Sequence, residues 1–162
     1  MSRVEVRRAL PEDAEVLLAL VDALADYEKL DRPEPEARER LISDGFGEKA
    51  YYTPYLAELD GKPVAYAMTF FTYSSFLALP TLYLEDLFVL PDARAYGVGS
   101  AIFRRLAAEA VRAGCGRMEW VVLDWNQLAI EFYERKGGQH LTEWLTYRLT
   151  RDQLIDMAET EA

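Results

Sequence analysis

Residues 81–100 read TLYLEDLFVLPDARAYGVGS, and this stretch decides the architecture. Thr81–Val89 is rich in aromatic, branched and aliphatic residues, the composition of a strand in a sheet core. Pro91 to Tyr96 reads as a loop. From Gly97 to about Ala113 the apolar spacing becomes helical, with Ile102, Phe103, Leu106 and Ala110 on one face. Gly114 then stops the helix. Gly97 and Gly99, one residue apart, let the backbone come close to a ligand. The first amides of the helix have no carbonyl partner within it and point out of its end. Loop and helix start together make an anion cradle suited to a diphosphate, and Arg94 adds positive charge at its rim.

Outward from this core, Arg3–Arg8 alternates like a half-buried strand. Pro11-Glu12-Asp13 opens a helix whose apolar face is Val16, Leu17, Leu20, Val21 and Leu24, ending near Tyr27-Glu28. A short helix is expected over Ala37–Ser43, with Asp44-Gly45 and Phe46-Gly47 as punctuation. Tyr51–Leu59 and Lys62–Thr72, joined at Asp60-Gly61, carry a hairpin signal. Downstream, the spacing predicts a strand over Arg117–Leu123, a helix over Gln127–Lys136, a strand over Trp144–Thr150 and a helix over Arg151–Met157. The order is β-α-α-β-β-β-α-β-α-β-α. Three successive strands before the central helix argue for an α/β (α+β) fold, with a mixed sheet of about six to seven strands and helices on both faces. With 162 residues and no repeat or linker, the chain is expected to be one domain, residues 1–162.

Composition narrows the function. No apolar run approaches the ~20 residues that cross a bilayer, and Met1–Arg8 lacks an apolar signal core, so a cytoplasmic location without membrane attachment is expected. A net charge of −10 disfavours nucleic acid and attracts cations. Cys115 and His140 are the single cysteine and histidine. One of each cannot build a Cys/His zinc site, though a carboxylate-rich metal site stays open on composition alone. There is no G-x-S-x-G elbow for a serine hydrolase.

The glycine pattern also fits a dinucleotide fingerprint poorly and excludes a P-loop. Ile102 stands where a dinucleotide fingerprint needs its third glycine, and Gly99-Ser100 lacks the following Lys-Ser or Lys-Thr of a P-loop. What the stretch resembles is the coenzyme A-binding motif of the GNAT superfamily, R-x-x-G-x-G after a strand ending in V-x-P. Residues 126–133, Asn126 through Ala129 to Phe132-Tyr133, resemble that superfamily's later N-x-x-A-x-x-F-Y element. Asp26-Tyr27-Glu28, residues 44–47, Phe71-Thr72-Tyr73, residues 83–89 and Trp125-Asn126 look like the spermidine/spermine and thialysine N-acetyltransferases, and the resemblance spans Val4 to Leu149.

The resemblance implies acetyl transfer from acetyl-CoA, without a metal, to a primary amine of a small cation such as a diamine, a thialysine-like amino acid or a short polyamine. That reaction must deprotonate an ammonium of pKa near ~10.4, polarise a thioester carbonyl and protonate a leaving thiolate. By resemblance Tyr133 supplies that last proton, and Glu85 helps to deprotonate the amine through ordered water. The backbone of Leu87, Phe88 and Val89 would hold the pantetheine and polarise the thioester. Arg94, Ala95, Tyr96, Gly97, Val98, Gly99 and Ser100 would hold the diphosphate, and Asn126 and Ala129 would meet the pantetheine arm. Tyr27, Glu28, Glu85 and Asp86 would face the substrate, and a homodimer is implied. In the resembling enzymes the strand of Glu85 is bulged and splayed from its neighbour, which opens the cofactor slot.

Each position also has a plain structural reading. The glycines could shape a tight turn, Phe132-Tyr133 pack a core, Asn126 cap a helix, Asp86 join a salt bridge, and Tyr27-Glu28 form a solvated helix end. Adjacent strand residues face opposite ways, so Glu85 and Asp86 share a pocket only if the strand is distorted. The loop 74–80 departs from the polyamine enzymes, with Ser74 where an acid would stand, and looks more like the thialysine and small-diamine enzymes. Glu143 is a further candidate acid, and Ala95 stands where a glycine is common. Rival functions are a coenzyme A-binding regulator without turnover, an acetyltransferase for a peptide N-terminus or an antibiotic, and a nucleotide-binding oxidoreductase.

Overall fold

The computed structural model describes residues 2–160. It contains two compact units, Met1–Val121 and Val122–Ala162.

The first unit is built on a five-stranded sheet in the order β1-β2-β3-β4-β5, comprising β1 Val4–Arg8, β2 Thr53–Leu59, β3 Lys62–Ser74, β4 Leu79–Val89 and β5 Arg117–Trp120. Neighbours from β1 to β4 run antiparallel, and β5 lies parallel to β4. A parallel neighbour needs a crossover, and here it is α3, Val98–Arg112. Helices cover both faces. On one, Val98, Ile102, Leu106 and Ala110 of α3 pack against Tyr55, Ala57, Ala65, Ala67, Leu82 and Leu84. On the other, Leu17 and Leu20 of α1, Ala14–Glu28, meet Leu56, Tyr66, Met68 and Phe88, with Leu41 and Phe46 of α2, Pro35–Phe46, packed against the same cluster. The apolar faces of α1 and α3 are those their periodicity predicts.

The structure corrects several local expectations. The α2 helix continues to Phe46 instead of ending at Ser43. Gly45 is accommodated inside it because the Tyr52 ring packs where a Cβ would sit, and the Tyr52 hydroxyl donates to the carbonyl of Leu41. The loop expected over 74–80 is a tight turn, with β4 already under way at Leu79. Among the described residues the sheet has five strands, not six to seven. Among the described residues, the Trp144–Thr150 stretch, expected as a strand, forms none. Alternation makes a strand possible; only a ladder partner makes it one.

The second unit carries α4, Gln127–Arg135, and α5, Arg151–Glu159. Asn126 caps α4, its side chain accepting from the Ala129 amide at 3.3 Å. Thr150 and Gln153 form a capping box at α5.

Candidate active site

The pairing of β4 sets the site. Against β3, Asp86 lies opposite Met68 and Leu84 opposite Thr69, so Glu85 is an extra residue without an opposite number. This is a β-bulge, and it resets the alternation of the strand. Before it, Leu82 and Leu84 face α3; after it, Leu87 and Val89 pack on that face, while Phe88 joins the α1 cluster. The distortion that Glu85 and Asp86 need in order to serve one side is therefore present.

The same region parts from its other neighbour. Pairing of β4 with β5 ends at Leu84 opposite Trp120, and Glu85–Val89 continue along β3. Among the described residues of the first unit, the backbone of Leu87, Phe88 and Val89 has no strand on the β5 side. Edge groups of this kind are open to a ligand with its own amides.

Three acids gather beside the bulge. Asp86 accepts a hydrogen bond from the Tyr66 hydroxyl at 2.9 Å. Burial pushes its carboxyl up to about 6, the Tyr66 hydrogen bond pulls the other way, and the charges of Glu85 and Glu28 raise it again. Burial likewise raises Glu28, at the end of α1. Among the described residues, the charged groups that act on Asp86 are both acids, so the cluster suits a cation.

The loop after β4 is held from below. Pro91–Ala93 forms one turn of 3-10 helix with Ala93 buried, and Val98 is anchored in the α3 core. Between these anchors Ala95 and Gly97 both adopt left-handed backbone, at φ 71° and 79°. A side chain at Gly97 would meet nothing within 4 Å. Gly97 caps α3, and its carbonyl takes the Ala101 amide. The amides of Val98, Gly99 and Ser100 thus precede the helix's internal ladder. Tyr96 is exposed on this loop.

Arg94 has contacts of its own at the base of this loop. Its Nε donates to the Val89 carbonyl at 3.0 Å, and its guanidinium lies 4.7 Å from the centre of the Tyr27 ring and 5.8 Å from that of Phe88. Tyr27 and Phe88 themselves stand 5.8 Å apart. Arg94 thus ties the loop, the end of β4 and the end of α1 together.

The first unit thereby brings together Tyr27, Glu28, Glu85, Asp86, Leu87–Val89 and the loop of residues 94–100. Asn126, Ala129 and Tyr133 belong to the second unit, where Tyr133 packs edge-on to Phe132 at 5.5 Å. Tyr66 escapes sequence reading, because a tyrosine between Ala65 and Ala67 looks like ordinary strand core. So does the Glu109 cluster: this buried acid of α3 is contacted by Arg8, Arg105 and Arg112.

The loop geometry and the open edge of β4 fit a coenzyme A-type ligand, whose diphosphate seeks unpaired amides and whose arm carries amides of its own. A family model described as "Acetyltransferase (GNAT) family" matches residues 17–138. The chain is 36% identical to a thialysine N-epsilon-acetyltransferase of Bos taurus, over 98% of this chain and 99% of that protein. It is 44% identical to an L-ornithine N5-acetyltransferase of Arabidopsis thaliana, over 55% of this chain and 39% of that protein. Among solved structures, an integron cassette protein from the mobile metagenome of V. cholerae superposes with a TM-score of 0.82, at 23% identity, covering 97% of this chain and 98% of that one. An aminoglycoside N-acetyltransferase in complex with CoA gives 0.75 at 18% identity, covering 92% and 96%.

Proposed function

Because the chain belongs to the GNAT family of acetyltransferases, we propose that it transfers acetyl from acetyl-CoA to a primary amine of a small cation: a diamine, a thialysine-like amino acid or a short polyamine. The observation that carries the substrate class is the acid group of Glu28, Glu85 and Asp86 beside the bulge, in which the charged neighbours of Asp86 are themselves acids. Full-length relatives named for thialysine support an amino acid with a cationic side chain, and the relative named for L-ornithine supports a second small amine of that kind.

Acetyl-CoA, when bound, supplies the activated acetyl group. The amides of Val98, Gly99 and Ser100 would hold its diphosphate on the loop shaped by Ala95, Tyr96 and Gly97. The backbone of Leu87–Val89, with Asn126 and Ala129, would hold the arm. Arg94 keeps this loop against β4 and Tyr27. Glu85, exposed at the bulge, is the acid we assign to collecting the ammonium proton through water. Glu28 and Asp86, with Tyr27, hold the amine and any second cationic group. Tyr133 is the assigned proton donor to the leaving thiolate, a role that rests on its motif.

The family match runs from Leu17 to Gly138 and so spans both units, which supports reading residues 1–162 as one catalytic domain. No helix among the described residues is long and apolar enough to cross a membrane. A cytoplasmic, homodimeric enzyme is the reading that the resemblance supports.

A panel of amines offered with acetyl-CoA, reading released thiol, tests the proposal. Turnover with small dicationic amines is expected, with monocationic amines far slower. A strict preference for a peptide N-terminus would remove the substrate class.

A further inference from the structure

We propose that Tyr66 is a positioning residue for the amine site: by donating its hydroxyl to Asp86, it holds that carboxylate on the α1 side of the sheet, where Glu85 and Glu28 complete a seat for a doubly charged substrate. The inference rests on the acetyl-transfer reading above and adds a residue that reading does not use.

Tyr66 is fully buried in β3, in the cluster formed with α1. Its ring cannot move without disturbing Leu17, Leu20 and Phe88, which pack in the same cluster. The hydroxyl therefore has a fixed place, and Asp86 Oδ2 lies 2.9 Å from it. Asp86 owes its own position to the Glu85 bulge, which sets it opposite Met68 and turns it to the Tyr66 side. The bulge thus delivers the carboxylate, and the phenol fixes it.

The phenol also governs the charge of the site. The groups acting on Asp86 are Tyr66 from β3, Glu85 from β4 and Glu28 from α1. Burial and the two acids favour the protonated carboxyl, and Tyr66 alone among them favours the carboxylate. Tyr66 stays a donor at every working pH, because burial and the charge of Asp86 push its own ionisation far upward. A dication can then displace the remaining proton of Asp86, whereas a monocation satisfied by Glu85 gains nothing from it.

The test begins without substrate. Carboxyl carbon-13 NMR of the full chain follows the titration of Asp86, identified by its absence in Asp86→Asn. In Tyr66→Phe, which keeps the ring, the midpoint should rise by about one pH unit, the worth of one hydrogen bond to a charged group. An unmoved midpoint overturns the proposal. In the wild type, which needs no variant to fold, the Tyr66 Cζ resonance should shift through the same pH range as Asp86; a flat Tyr66 signal overturns it equally. With substrate, Tyr66→Phe should raise KM several-fold for a diamine at pH 7, leave kcat within about twofold, and spare a monoamine. Equal losses on both amines would overturn the positioning role. Should the wild type turn over no amine, the proposed substrate class falls, and the carboxyl titration still decides what Tyr66 does.

Discussion

The Arg94 guanidinium lies 4.7 Å from the centre of the Tyr27 ring, joining the loop after β4 to the last turn of α1. Its Nε is meanwhile committed to the Val89 carbonyl at 3.0 Å. A lysine offers a point charge on a flexible stem and can reproduce neither the planar stack nor this second bond. Arg94→Lys is therefore expected to weaken CoA binding about tenfold, roughly 1.4 kcal/mol, by loosening the loop. Isothermal titration with CoA measures this. Tyr27→Leu should weaken binding similarly, and the double variant should lose less than the sum, since both remove one contact. Strictly additive losses would show that the stack does not hold the loop.

Ala95 makes the next case. It adopts φ 71°, a left-handed conformation in which its Cβ crowds the following carbonyl. Glycine has no such conflict. Ala95→Gly should stabilise the protein by about 1 kcal/mol, raising Tm by roughly 2–4 °C, and Ala95→Val should lower it. Calorimetry on the three proteins is the check. A lower Tm for the glycine variant would mean that unfolded-chain entropy outweighs the strain.

These two residues also mark how far a sequence carries. The strand, loop and helix of residues 81–113 are legible, because a change of apolar period and two glycines are local signals. The faces of α1 and α3 are legible for the same reason. The bond from Tyr66 to Asp86 is not: it joins residues 20 apart in the chain, and although the resemblance implies a bulge in the strand of Glu85, it does not say which side chain of the next strand the offset brings to Asp86. The contact of Arg94 with the Tyr27 ring is not legible either, because that ring lies on another element. Gly45 reads as a stop, yet the Tyr52 ring fills its missing side chain and α2 runs on. Trp144–Thr150 alternates like a strand, and alternation cannot say whether a partner edge exists.

Glu109 separates stability from function. It is 5% exposed on α3 and contacted by Arg8, Arg105 and Arg112. Burial opposes its charge, but hydrogen bonds from Arg105 and Arg112 and the charges of Arg112 and Arg8 hold it below the ordinary range. Glu109→Gln leaves three guanidinium groups without their shared anion and should cost about 2–3 kcal/mol, or roughly 5–10 °C in Tm. A group with a lowered folded pKa contributes above its unfolded pKa and loses that contribution as pH falls through the folded one. The difference between wild type and variant should therefore shrink in acid. Residue 109 lies near the end of α3 remote from Val98, so CoA affinity should hold at temperatures where both proteins are folded. Thermal melts at pH 7.5 and pH 3, with CoA titrations alongside, decide it; a penalty that persists undiminished at pH 3 would rule out the charge cluster as its source.

Asp86 has the opposite sign. Its folded pKa, pushed up to about 6 by burial against the Tyr66 hydrogen bond, exceeds the ~3.9 of an unfolded aspartate. As pH rises between those values the unfolded chain releases this proton first, so stability falls across roughly pH 4 to 6 and stays lower above it. About two pH units correspond to on the order of 2–3 kcal/mol of destabilisation at neutral pH. In Asp86→Asn the side-chain amide oxygen would still accept from the Tyr66 hydroxyl, but there is no charge to bury. The variant should accordingly be more stable than wild type at pH 7.5, by up to that amount, and no more stable at pH 4. It should also lose affinity for dicationic amines, because the same buried charge that costs stability is what a second ammonium would neutralise. Urea unfolding at the two pH values reads the first effect and KM for a diamine the second. A stability gain of equal size at both pH values would show that the carboxyl titrates normally, and would remove Asp86 from the charge balance of the site.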